Sequence, residues 1–206
     1  MSEYTASLTY EYEDNLYINM TNKCPNRCEF CLRNNSEGSL YSKNLWYKDG
    51  EPSKEEILED LKKRDLNKYS HIVFCGYGEP SCRWDDMMWL CDELKKNGHY
   101  YIRINTNGLS DLINKRVTAP ELDGRVDEIS ISINASTPER YDEICHSAYG
   151  LDALPAIIKF TSTAVLCVPH VRMTAVSTMG KEELNECRAI CESIGADFVV
   201  REYIDK

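Results

Sequence analysis

Thr21–Asn34 reads TNKCPNRCEFCLRN. Cys24, Cys28 and Cys31 stand at C-x3-C-x2-C, directly after a short apolar strand pattern, Leu16-Tyr17-Ile18-Asn19-Met20. Three thiolates so close together can occupy three corners of a cubane iron–sulfur cluster from a single loop. The usual complement is four protein cysteines, so this loop leaves one iron open to a ligand the protein does not supply. The competing reading is a structural zinc site, which needs four closed ligands in paired knuckles. The next His or Cys along the chain are His71 and Cys75. The spacing therefore favours iron–sulfur over zinc.

Outward from this loop, short apolar runs alternate with amphipathic stretches. Leu16–Met20, His71–Cys75, Tyr101–Asn105, Glu128–Asn134, Val171–Val176 and Phe198–Tyr203 read as six core strands. Ser53 and Glu56 form a capping box opening a helix that runs to about Asn67. Further helices are expected over Trp84–Asn97, Leu109–Arg116, from Thr137-Pro138, over Leu151–Thr163 and over Lys181–Ile194. Residues 1–14 are a polar lead-in with an edge strand expected at Ser7–Tyr12. Residues 32–52 show no clear period and read as a loop, a candidate lid or substrate wall in which Trp46 and Tyr47 would stack. No linker, repeat or low-complexity tract interrupts residues 1–206, which read as one domain. The alternation points to an α/β fold on a mostly parallel sheet. Six units are too few for the closed eightfold barrel. Periodicity alone leaves a partial barrel and a flat doubly wound sheet both standing.

Parallel strands covered on both faces should be continuously apolar, and these are not. Ile129, Ile131 and Ile133 alternate with Ser130, Ser132 and Asn134. Arg103 and Asn105 share a face, with Asn107 just beyond; His170, Arg172 and Thr174 oppose Val171, Met173 and Ala175. Arg201 and Tyr203 share a face of the last run. Period two puts the isoleucines under the helices and the polar set on the other side. Polar groups there need partners, because an unpaired buried one costs about 1–3 kcal/mol. A solvated face of an antiparallel sheet would alternate too, but a polar lumen holding a charged, hydroxyl-rich ligand suits the parallel order better. Ligands of such folds sit at the C-terminal ends of the strands. The cysteine loop, Gly76-Tyr77-Gly78-Glu79-Pro80, Thr106-Asn107-Gly108 and Asn134 all fall there.

The formal charge of −10 argues against a general binder of nucleic-acid backbones, which needs a basic face. The first residues, MSEYTASLTYEYEDN, have neither a basic start nor an apolar core of a secretory signal. No apolar run approaches the roughly 20 residues that span a bilayer, so a cytoplasmic, membrane-free protein is expected. In such a chain ten cysteines read as metal ligands or buried thiols rather than disulfides. Cys187 and Cys191, at i and i+4, read as small core residues.

With Phe30 just before the last cysteine, C-x3-C-x-Φ-C resembles the signature of the radical S-adenosylmethionine (radical SAM) enzymes. GYGEP resembles the glycine-rich motif after their second strand, commonly GGEP. The resemblance implies a partial, laterally open (βα)6 barrel and a [4Fe–4S] cluster on Cys24, Cys28 and Cys31. It also implies S-adenosyl-L-methionine at the open iron, cleaved reductively to a 5′-deoxyadenosyl radical that takes hydrogen from a substrate. On the same grounds Phe30 packs near the adenine and backbone oxygens of Gly76, Tyr77 and Gly78 accept from the methionyl amino group, with Glu79 supporting the site. Asn105, Asn107, Ser132 and Asn134 are candidates for the ribose hydroxyls and the methionyl carboxylate. Arg172 or Arg103 could grip that carboxylate in a bidentate contact, and Arg201 could belong to the substrate side. Tyr77 departs from the commoner motif, which has glycine or nothing there.

Asn15–Asn19, Thr21–Asn34, Leu45-Trp46 and Glu51–Ile57, followed by GYGEP and Ile104–Gly108, resemble the small TatD family-associated radical SAM proteins. That kinship suggests nucleic-acid repair or metabolite processing by association alone; the expected partners are a small-molecule or modified-nucleotide substrate, a reductant such as flavodoxin or ferredoxin, and a second copy in a homodimer. The alternatives are a 7-carboxy-7-deazaguanine synthase-like enzyme, a glycyl-radical-enzyme activase, and a non-catalytic iron–sulfur or zinc binding module.

Overall fold

The computed structural model describes residues 6–34, 39–40 and 43–203, with the backbone alone for residues 39 and 40. Part of the expected lead-in and the middle of the candidate lid lie outside the described residues. Strands β1 (Thr9–Tyr12) and β2 (Asn15–Ile18) form an antiparallel hairpin with Tyr10 opposite Tyr17. A small hairpin, β3 (Ser39–Leu40) and β4 (Lys43–Asn44), follows the cysteine loop. Helix α1 (Lys54–Lys62) begins at the expected box: Glu56 N donates to Ser53 Oγ at 3.2 Å, and Ser53 N donates to Glu56 Oε2 at 2.9 Å. It stops well before Asn67 because Asp65 caps a separate turn, accepting from Asn67 N.

The chain then alternates through β5 (His71–Phe74), α2 (Trp84–Asn97), β6 (Ile102–Thr106), α3 (Ser110–Asn114) and β7 (Glu128–Ser132). Two helices, α4 (Pro138–Cys145) and α5 (Ala153–Ala164), precede β8 (His170–Val176); α6 (Lys181–Ile194) and β9 (Asp197–Arg201) complete the order. The sheet runs β1-β2-β5-β6-β7-β8-β9, and every pairing from β2 to β9 is parallel. These six are the six core strands read from the alternation.

The two faces of the sheet differ as period two requires. Ile102, Ile129, Ile131 and Ile133 are wholly buried in one core with Leu61, Leu90 and Ile157 of the helices. Each such side chain contributes about 1.5–3 kcal/mol by leaving water. The opposite face carries Arg103, Asn105, Ser130, Ser132, Arg172 and Thr174 in register across β6, β7 and β8.

Curvature decides between the two architectures that periodicity left open. In a flat sheet β1 and β9 would stand about 29 Å apart, six spacings of roughly 4.8 Å. Yet Tyr10 of β1 and Arg201 of β9 line the same cavity of about 290 Å3. The sheet therefore curls around its polar face, and the seven-stranded order is not closed by a β1–β9 pairing among the described residues. The result is an open partial barrel. Among the described residues, no helix is long and apolar enough to cross a membrane.

Candidate active site

The cysteine loop leaves the C-terminal end of β2 and is held from two sides. Glu51 Oε1 accepts from Thr21 Oγ1 at 2.6 Å and from Asn22 N at 2.9 Å. Asn22 Nδ2 donates to Tyr47 O at 2.8 Å, and Tyr47 OH donates to Asn19 O at 2.7 Å. Across the loop, the last turn of α4 offers carbonyls that have no partner within the helix. Arg27 N and Glu29 N donate to Cys145 O and Ile144 O at 2.9 and 3.0 Å. Beneath them Asn26 Nδ2 donates to Tyr141 OH at 2.9 Å. Tyr47 is thus a buried strut of the loop, whereas Trp46 is 39% exposed.

The three thiols are free and partly exposed. Arg33 binds the loop together: its Nη1 and Nη2 donate to Asn22 O and Asn26 O at 3.3 and 3.2 Å, and its Nε lies 3.4 Å from Cys31 Sγ. Burial alone would lower the Arg33 pKa, but the thiols of Cys31, Cys24 and Cys28 outweigh it and raise it. Cys24 is pushed up to about 12, by burial first and then by the Glu79 carboxylate. Cys28 is pushed up by the adjoining Cys145 thiol and by burial. Metal loading must therefore displace bound protons. Among the described residues no group of three or more His, Cys, Asp or Glu side chains is already set to hold a metal ion, the loop thiols included.

GYGEP and TNG are joined by one buried carboxylate. Glu79 is 4% exposed and accepts from Thr106 Oγ1 at 2.6 Å, Asn107 N at 2.7 Å and Ser81 N at 3.1 Å. Its backbone N–H donates to Lys23 O at 2.7 Å, so three loops meet at this residue. The glycines serve the same junction. A Cβ on Gly76 would fall 2.1 Å from Asn19 Oδ1, and one on Gly78 would fall 2.3 Å from Thr21 O and 2.6 Å from Lys23 O. Close approach to the cysteine loop, rather than positive φ, is what requires glycine here. Gly78→Ala should cost roughly 2–4 kcal/mol in urea unfolding, because the obstructing atoms are backbone; an unchanged midpoint would contradict the junction. Tyr77, the departure from the family motif, is buried against Tyr10 and Leu45.

Most of the sequence-derived candidates meet in one place. The 290 Å3 cavity is lined by Phe30 and Cys31, by Gly76, Tyr77, Gly78 and Glu79, and by Asn105, Asn107 and Ser132. Asn107 Nδ2 lies 4.0 Å from Cys24 Sγ. Asn134 lines a neighbouring space of about 390 Å3 that shares Phe30, Val176 and Tyr203 with the first. It leaves β7 with φ of 54°, which asparagine tolerates better than most residues. Its buried Oδ1, like that of Asn105, has no hydrogen-bond partner among the described residues.

Arg172 is not brought to this cavity. It lies toward the opposite end of the lumen, where its Nη2 meets Glu128 Oε1 at 2.9 Å. Arg103 lies in the same deep region, with Nη2 3.4 Å from Tyr17 OH. Thr174 reads onto the lumen face from the sequence, whereas Arg33, Glu51, Cys145 and Thr106 carry no role in the sequence reading. Arg33 and Thr106 stand inside quoted motifs, but only contacts reveal what Glu51 and Cys145 do.

An open α/β barrel with three cysteines at the rim of a polar lumen defines a class of cluster-carrying enzymes. The radical SAM superfamily model matches residues 18–164, and the chain belongs to that superfamily. Over 112 residues the chain is 29% identical to glutamate 2,3-aminomutase of Clostridioides difficile (strain 630), a match covering 52% of this chain and 25% of that protein. The chain thus spans about a quarter of the length of this curated relative. A radical SAM methyltransferase from Sphaerobacter thermophilus shares the fold with a TM-score of 0.61 at 14% identity, covering 94% of this chain and 68% of that one. The FeFe-hydrogenase maturase HydG from Carboxydothermus hydrogenoformans does so with a TM-score of 0.61 at 16% identity, covering 93% and 44%. At such identities these two likenesses speak for fold alone. Superfamily members are enzymes that use a [4Fe–4S] cluster and S-adenosylmethionine. The residues present fit that pair: three free thiols in one loop, Arg33 Nε 3.4 Å from one of them, beside a cavity with orphaned amide oxygens.

Proposed function

We propose that this chain cleaves S-adenosylmethionine reductively to start hydrogen abstraction from a small molecule. One observation carries the reading: Cys31, the run from Gly76 to Glu79, Asn105, Asn107 and Ser132, drawn from four separate stretches of chain, line a single cavity. When bound, the cluster and S-adenosylmethionine supply the electron and the radical chemistry.

In this reading Cys24, Cys28 and Cys31 hold the cluster while Arg33 offsets thiolate charge on the protein side. Phe30 offers a flat apolar wall to the adenine. Carbonyls of Gly76 to Gly78 would receive the methionyl ammonium, and Glu79, bonded to Ser81, Thr106 and Asn107, fixes the end of the turn that carries them. Asn105, Asn107, Ser132 and Asn134 offer hydrogen bonds to the ribose and carboxylate, the two orphaned amide oxygens among them. Arg172, engaged with Glu128, is left out of the cofactor set. The electron would come from a small carrier such as flavodoxin or ferredoxin. The TatD-associated kinship rests on the shared sequence pattern, within which Glu51 accepts from Thr21 and Asn22 and Asn19 donates to Leu45 O.

The test is anaerobic reconstitution with iron and sulfide, then reduction with dithionite in the presence of S-adenosylmethionine. About four irons per chain and release of 5′-deoxyadenosine are expected. Stoichiometric zinc with no cleavage would defeat the reading in favour of a binding module.

A further inference from the structure

We infer that Arg201 anchors the acid group of an anionic small-molecule substrate in the lumen. The inference rests on the enzyme reading above and adds the substrate's chemical class. Arg201 ends β9, at the sheet edge opposite the β1–β2 hairpin from which the cysteine loop departs. It pairs in register with Val176 and reaches inward, donating from Nε to Thr174 Oγ1 at 3.1 Å. It lines the same cavity as Cys31 and the GYGEP loop.

Two arginines line this cavity: Arg33 is engaged with Asn22 O, Asn26 O and Cys31 Sγ, whereas Arg201 is held only through Nε among the described residues. Arg64, Arg83, Arg116, Arg125, Arg140 and Arg172 each pair with a carboxylate. Among the described residues Arg201 has no such partner, although the chain has 34 acidic against 24 basic residues. Glu202 also lines the cavity, but its Oε2 accepts from Ser177 Oγ at 3.1 Å. A shortage of acids is therefore not the reason.

The residue is exposed by surface area because β9 forms the open edge, yet its guanidinium is sufficiently enclosed for burial to lower its pKa. A partly desolvated cation without a counter-charge is unfavourable until an anion arrives. Its two terminal nitrogens make no hydrogen bond among the described residues. They are the pair that grips a carboxylate or phosphate in a bidentate contact. The ligand is thus a small acid, carboxylic or phosphoric.

Calorimetric titration of the reconstituted, S-adenosylmethionine-bound protein with glutarate, inorganic phosphate and uncharged glutaramide tests this. The wild type should bind glutarate or phosphate and not glutaramide, and which anion binds distinguishes a carboxylate from a phosphate ester. Arg201→Met should weaken that binding about tenfold or more, with cluster content, thermal midpoint and S-adenosylmethionine affinity unchanged. Arg201→Lys should restore part of it. No anion binding to the wild type, or equal binding to Arg201→Met, overturns the proposal. So does a collapse of S-adenosylmethionine affinity in Arg201→Met, which would give Arg201 to the cofactor. Repeating the titration on the cluster-free chain separates the two readings: Arg201-dependent anion binding without any S-adenosylmethionine cleavage by the wild type would defeat the enzyme reading alone.

Discussion

Cys24→Ala leaves a folded protein that takes up no stable [4Fe–4S] cluster and releases no 5′-deoxyadenosine. With only two thiolates in the loop, half of the usual cysteine complement is missing, and no histidine or carboxylate converges with them among the described residues. The fold should survive because the loop is held by other groups. Glu51 secures its start, Arg27 and Glu29 bond the end of α4, and Asn26 meets Tyr141. None of these contacts uses the Cys24 thiol. Iron and sulfide content, the 5′-deoxyadenosine assay and the thermal midpoint together check the result. Full cluster content with undiminished cleavage would show that a different group holds the iron.

Glu79→Ala has the largest expected effect on stability, about 3–5 kcal/mol in urea unfolding. The carboxylate receives three donors, from Thr106, Asn107 and Ser81. Truncation strands them in a buried junction, at about 1–3 kcal/mol for each group left unpaired, reduced where water enters the space vacated. Because the same residue ties GYGEP to TNG and to the cysteine loop, S-adenosylmethionine affinity should fall with it. A loss below about 1 kcal/mol would place the junction's strength elsewhere.

The ionisation of Glu79 adds a pH signature. Burial raises its pKa above the ordinary glutamate value, against the opposing hydrogen bonds of Thr106, Asn107 and Ser81. A carboxyl whose folded pKa is raised contributes stability that is fully present below its unfolded pKa. That contribution is lost as pH rises through the folded pKa. In the cluster-free chain, the stability advantage of wild type over Glu79→Gln should therefore be widest below about pH 4 and narrow as pH rises. A gap that widens instead would mean that the hydrogen bonds, not desolvation, govern this carboxyl.

The contrast between Arg172 and Arg201 shows where sequence reading stops. Both lie on the lumen face, as period two requires. Register then separates them: Val176, the partner of Arg201, stands four residues beyond Arg172 on β8, roughly 13 Å along the strand. Arg172 falls deep in the lumen beside Glu128, while Arg201 reaches in from the mouth. The GYGEP glycines teach the same lesson. Their motif was legible, but the atoms that forbid a side chain there belong to Asn19, Thr21 and Lys23, more than 50 residues earlier.

The sequence by itself determined what depends on neighbours within a turn or a strand: the cysteine spacing, the capping box at Ser53 and the split between isoleucines and polar residues. It also showed six strands alternating with helices, because helix and strand periods are local properties of the chain; their order across the sheet came from the tertiary structure. Only the tertiary structure decided that the sheet curls rather than lies flat and that Glu79 fastens three loops. It alone also left Arg201, among the lumen arginines, facing the cavity without an acid. Those outcomes depend on register and curvature, which arise from contacts between residues far apart in sequence and leave no periodic trace along it.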